Sequence, residues 1–146
     1  MTSAAARKLG SVADTAGYRV TVEPQFVPEQ SDVDARRYVF SYRVQIVNIT
    51  GMVATVRRRA WNIVDAVGRV SQVRGDGVVG HQPRLAPGQS FIYSSFSSLE
   101  TPWGTMEGVY ELETDEGDVF DVVIGRFYLV AKAGTAQRER AGGVGK

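Results

Sequence analysis

From Tyr18 to Val130 the apolar residues recur with a period of two, the pattern of strands with one face buried and one face wet. Phe40, Tyr42, Val44 and Ile46 fall on one side and Ser41, Arg43 and Gln45 on the other, which predicts a long half-buried strand. Residues 53–63 set Thr55, Arg57, Arg59, Trp61 and Ile63 against Ala54, Val56, Arg58 and Ala60, so only part of that strand has a dry face. Further strands are predicted at 18–27, 69–73, 91–97, 105–113 and 119–129. Turn-forming residues separate them: Asn48 to Gly51, Asp65 to Gly68, Pro87-Gly88 and Asp115 to Asp118.

About seven strands at this spacing, without a 3.6-residue period, predict an all-β protein, an antiparallel β-sandwich of immunoglobulin or fibronectin type III character. A closed barrel is the alternative, because strand count does not fix closure. Trp61 is the expected centre of the core. The 146 residues fit one domain, 18–130, that can bury a core unaided. Residues 1–17, rich in Ala and Ser, and 131–146, small and charged, read as flexible tails.

Cysteine is absent, which removes disulfides and thiolate metal sites and fits a reducing, cytoplasmic setting. A net charge of +1 gives no general field for nucleic acid or anionic lipid, so no nucleic-acid partner is expected. No run reaches the roughly 18 apolar residues of a membrane span, and the first residues lack a secretory apolar block.

The chemistry concentrates at Gly75-Asp76-Gly77-Val78-Val79-Gly80, which spells the dinucleotide-binding glycine pattern. That pattern needs a following helix to hold a pyrophosphate, and here Pro83, Pro87 and Gly88 follow. The segment is therefore either a backbone nest for a phosphate-bearing anion or a tight structural turn. Strand alternation places Arg57 and Arg59 on one face and Arg58 on the other. The first two could grip an anion, or pair with the chain's own acids across the sheet.

No catalytic residue is assigned. His81 is the single histidine, and Ser94, Ser95, Ser97 and Ser98 lack a nucleophile-elbow pattern. The acidic stretch Glu113-Thr114-Asp115-Glu116-Gly117-Asp118 lacks ligand-loop spacing and reads as a solvated hairpin tip, so neither metal nor cofactor is expected.

Taken in order, the landmarks resemble the ApaG family: Glu29-Gln30-Ser31-Asp32, Tyr38 to Tyr42, Arg59 and Trp61, the glycine segment with Gln82-Pro83, and Pro87-Gly88. They continue with Tyr93-Ser94-Ser95, Leu99, Thr101-Pro102, Gly104, Met106-Glu107-Gly108, Tyr110 and Phe127. The resemblance implies a fibronectin type III-like sandwich and an association with cobalt and magnesium efflux. It further implies interaction-module behaviour in related eukaryotic domains, and a nucleotide or pyrophosphate link at the glycine loop. The chain departs from the family at Ala60, usually His, at His81, usually Glu, at Phe96, usually Gly, and at Gly125, often Pro.

Together these readings predict a non-enzymatic binding module with an unidentified protein partner or a phosphate-bearing small molecule. The alternative is a nucleotide sensor or phosphate-handling enzyme at the glycine loop. Edge strands also allow a homodimer.

Overall fold

The computed structural model describes residues 8–131. Nine strands form two antiparallel sheets: β1 (Ser11–Thr15), β2 (Tyr18–Phe26), β3 (Tyr38–Asn48) and β7 (Ser90–Leu99) make the first, in that spatial order. The second runs β5 (Val70–Asp76), β4 (Ala54–Asp65), β8 (Trp103–Thr114) and β9 (Val119–Val130), with β6 (Arg84–Leu85) paired to β4. One turn of 3-10 helix, Pro28–Gln30, follows β2.

The period-two pattern decides which residues meet between the sheets. Val20, Val22, Phe40, Val44 and Ile46 from one sheet and Val56, Tyr110, Leu112, Val122 and Phe127 from the other are fully buried. Trp61, 4 % exposed, sits among them and meets the rings of Tyr42, Phe127 and Tyr110 edge-on at centroid distances of 5.5, 5.9 and 6.4 Å. Such edge contacts place positive ring edges against negative faces. The sandwich expected from the strand pattern is thus observed, with Trp61 at its centre.

Asn48 is a fully buried polar residue at the end of β3. Its amide nitrogen donates to the carbonyls of Met52 and Leu85 at 2.7 and 2.9 Å, while its oxygen accepts from the backbone and hydroxyl of Thr50 at 2.8 and 2.6 Å. The desolvation cost of the amide is thereby offset, and the β3–β4 connection is fixed.

The N-terminal tail expected over residues 1–17 gives way to β1 at Ser11–Thr15, joined to β2 by a turn through Ala16 and Gly17 with φ of 52° and 83°. Its core-side residues are small, so hydrophobic periodicity does not reveal it. It is held by its antiparallel ladder to β2 and by hydroxyls on the edge of β9: Ser11 donates to the Gly125 carbonyl at 2.8 Å, and Thr15 accepts from the Val123 amide at 3.2 Å. This closes one side of the sandwich. The C-terminal tail expected over 131–146 lies, beyond Ala131, outside the described residues.

Candidate functional site: the arginine strand and the glycine turn

The register between β4 and β8 shifts between Val56 and Arg58, where Val56 pairs with Leu112 and Arg58 with Glu111. Arg57 is the extra residue of a β-bulge, and a bulge resets which residues face the core. Before it the buried apolar residues are Ala54 and Val56; after it the buried apolar residue is Trp61, on the opposite parity.

This corrects the expected alternation. Arg57 and Arg58 both reach outer-face carboxylates: Arg57 donates to Glu113 at 2.8 Å and to the Gln82 side chain at 3.0 Å, and Arg58 donates to Glu111. Arg59 alone turns toward the core side, in phase with Trp61. Pairing with the chain's own acids therefore describes Arg57 and Arg58.

Arg59 spans the glycine segment from above. Its Nη1 donates to the carbonyls of Asp76 and Gly77 at 2.9 and 3.0 Å, and a Cβ on Gly75 would lie 2.8 Å from its Nη2. Gly75 is bare because the guanidinium occupies the space of a side chain.

Gly77 has φ of +60°, donates to the Arg57 carbonyl at 2.6 Å, and would carry a Cβ only 2.0 Å from the His81 carbonyl oxygen. Val78 is fully buried and exchanges two backbone hydrogen bonds with His81, at 2.7 and 2.8 Å. Between them Val79 and Gly80, with φ of 42° and 83°, form a turn of the I′ type. Positive φ is costly for a β-branched residue such as Val79, which is 48 % exposed at the tip. The segment is thus a small hairpin pinned to the core by Val78, and the Gly77 and Val78 amides are spent on main-chain carbonyls. The His81 ring packs edge-on against Phe91 at 6.1 Å.

Below Arg59 lie three inward tyrosines, Tyr42, Tyr93 and Tyr110. The Tyr93 and Tyr110 hydroxyls are hydrogen bonded to each other in the core. Burial pushes all three phenols above their ordinary range, and the nearby Arg59 charge opposes that rise without reversing it. In the sequence the three stand only as a strand position and as family landmarks, with no role at a site. The overlooked signal is tyrosine rather than phenylalanine at three inward positions, since each buried hydroxyl requires a partner.

On the outer face, strand register lines up Arg74, Ala60, Val109 and Val123 in one row and Asp76, Arg58, Glu111 and Asp121 in the next. Between these rows lies an open cleft of about 410 Å³ with an apolar floor of Ala60 and Val109 and walls of both charge signs. Arg74, on edge strand β5, was not singled out from the sequence because nothing local marks it.

The acidic hairpin is partly neutralised from within. Arg84 donates to Asp115 at 2.6 Å, and that hydrogen bond holds the Asp115 carboxyl below the usual carboxylate range. Among the described residues, no group of three or more His, Asp or Glu side chains is arranged to hold a metal ion. No helix among them is long and apolar enough to cross a membrane.

Residues 28–114 match the family model for the ApaG domain. An ApaG protein of Allorhizobium ampelinum is 51 % identical over 115 residues, spanning 79 % of this chain and 88 % of its own length. An ApaG protein of Aromatoleum aromaticum is 50 % identical over 114 residues, 77 % of this chain and 90 % of the relative. A structural-genomics crystal structure of a Bordetella pertussis protein designated ApaA superposes with a TM-score of 0.75 at 48 % identity, covering 77 % of this chain and 92 % of that one. With residues 28–114 matched by the family model and relatives about 50 % identical over most of their length, the chain belongs to the ApaG domain family.

Proposed function

We propose that this chain is a non-enzymatic, cytoplasmic binding module whose outer sheet face docks a protein partner in divalent-cation homeostasis. The observation that carries the reading is the cleft between the Arg74 and Arg58 rows: a rigid four-stranded surface with an apolar floor and fixed charges of both signs. Such a surface suits a partner that brings complementary charges around an apolar contact. The cobalt and magnesium association comes from the ApaG resemblance.

The test is growth at raised cobalt or magnesium in a host lacking its own ApaG protein, complemented by wild type or by Arg74→Glu. Wild type is expected to restore tolerance and the charge reversal to lose it, with both proteins equally stable. Equal rescue by both would overturn the docking face, and nucleotide hydrolysis by the purified wild type would overturn the non-enzymatic reading.

A second reading keeps a phosphate-bearing ligand at the glycine hairpin. It is favoured by the exposed left-handed tip at Val79 and Gly80, where an uncommon backbone conformation faces solvent. Arg59 would contribute through its remaining guanidinium N–H groups or by releasing the Asp76 and Gly77 carbonyls. Calorimetric titration with pyrophosphate tests it, and heat absent at millimolar ligand would leave the hairpin purely structural.

A further inference from the structure

The four sheet edges of this sandwich are protected very unequally. Edge strand β1 is five residues long, carries Asp14 and leans on β9. β9, the edge it covers, has Gly125 and Val123 main-chain groups taken by Ser11 and Thr15. β5 carries Arg74 and Asp76. β7 is ten residues long, ends its sheet, and has no charged residue between Ser90 and Leu99. Long, uncharged edges are templates for another strand, and natural proteins normally blunt them.

The hydrogen-bond phase of that open edge follows from the strand's entry. The Asn48 backbone amide donates to the Gln89 carbonyl at 2.9 Å and the Asn48 carbonyl accepts from the Gly88 amide at 2.8 Å, so Asn48 turns its main-chain groups toward β7 at a bulge. In an antiparallel ladder bonded pairs alternate, so Phe91, Tyr93, Ser95, Ser97 and Leu99 bond to β3. Ser90, Ile92, Ser94, Phe96 and Ser98 therefore direct their N–H and C=O groups to the open edge. Among these, Ile92 and Phe96 also leave large apolar side chains 47 % and 57 % exposed on the sheet's outer face.

We propose that β7 pairs antiparallel with β7 of a second copy of this chain, about a two-fold axis through Ser94, making one continuous sheet of the two four-stranded ones. In that register all five edge-facing residues become bonded pairs: Ser94 with Ser94, Ile92 with Phe96, and Ser90 with Ser98. Each exposed isoleucine then covers a phenylalanine of the other copy, and no charge opposes a like charge, which is the cost that usually forbids self-pairing. A second copy satisfies backbone, apolar and charge requirements with one strand. The pairing is independent of the ligand and partner readings above. A single edge buries less than the roughly 800 Å² per partner of a standard stable interface, so the dimer is a weak, concentration-dependent one.

Sedimentation equilibrium of the full chain from about 10 µM to about 0.5 mM is the test, since this range brackets a dissociation constant of about 100 µM. The wild-type mass is expected to rise toward twice that of the chain. Ser94→Lys puts two ammonium groups face to face on the axis and is expected to raise the dissociation constant at least tenfold. Phe96→Ser, which removes only an exposed ring, is expected to weaken association in the same direction. Unfolding temperatures measured at the dilute end verify that both variants fold. A wild type that stays monomeric throughout overturns the proposal and leaves the edge to a strand of a different protein. A dimer indifferent to both substitutions overturns it in favour of another surface.

Discussion

Adding one methyl group at Gly77 separates a structural glycine from a ligand-binding one. An alanine there keeps φ near +60°, where an L-residue costs about 1 kcal/mol or more, and its Cβ arrives 2.0 Å from the His81 carbonyl oxygen. That oxygen is itself the acceptor for the Val78 amide at 2.7 Å, so it moves only by opening the hairpin. Losing the Val78–His81 pair and the bond from Gly77 to Arg57 costs about 1 kcal/mol for each broken bond, and loosening the buried Val78 costs another 1–2 kcal/mol. The expected loss for Gly77→Ala is the sum of these, about 5–6 kcal/mol. Gly80→Ala is the internal control: φ there is +83°, but nothing lies within 4 Å of the added Cβ, so only the conformational term of about 1 kcal/mol applies. At roughly 4 °C per kcal/mol for a domain of this size, calorimetric melting temperatures of the two variants should differ by about 16–20 °C. Equal, small shifts would refute the close-approach reasoning. A Gly77→Ala protein of undiminished stability that had lost pyrophosphate binding would assign the glycine to a ligand instead.

Trp61→Ala should destabilise by about 3–5 kcal/mol in chemical denaturation, because the indole is 4 % exposed among three rings; a near-neutral effect would contradict its central packing. The buried Tyr93 and Tyr110 phenols, raised by desolvation, contribute stability that is complete below the unfolded value of about pH 10 and is lost as pH rises beyond it. Ultraviolet titration should therefore show these two ionising only with base unfolding, and full reversible ionisation of every tyrosine in a folded protein near pH 10 would refute this. The Asp115 carboxyl, lowered by its bond from Arg84, works in the opposite direction. Its contribution is present above the unfolded carboxylate value of about 4 and fades as pH falls below it, an effect that Arg84→Gln should remove from the acid limb of the stability curve. Magnesium or cobalt titrated calorimetrically should bind at most weakly, and micromolar affinity abolished by Asp115→Asn with Asp118→Asn would overturn that expectation.

The chain's own alternation determined six of the seven long strands and the burial of Trp61, because large side chains that alternate between core and solvent leave a period that no partner is needed to read. β5 has no buried residue and owes its place to pairing with β4. β1 left no such trace: Ser11, Ala13 and Thr15 bury little apolar area, and beyond its backbone ladder to β2 the strand is fastened by hydroxyls on an edge more than a hundred residues away in sequence. β6 escaped for a related reason, since two residues carry no period and only the edge of β4 makes them a strand. The roles of the three arginines also waited on the tertiary structure. Local alternation put Arg57 with Arg59, yet the pairing of β4 with β8 leaves Arg57 over as a bulge and reverses the phase. A faint sign stands in the sequence, where apolar parity passes from Ala54 and Val56 to Trp61 and Ile63, but parity alone does not say which residue goes unpaired. The glycine segment is the clearest division of labour. Its residue types declared that the backbone must turn tightly or be approached closely, because only glycine tolerates both. Whether its amides faced a ligand or the chain itself depended on where the Arg57 and His81 carbonyls came to lie, and those positions are set by strand pairing and core packing, which no local pattern encodes.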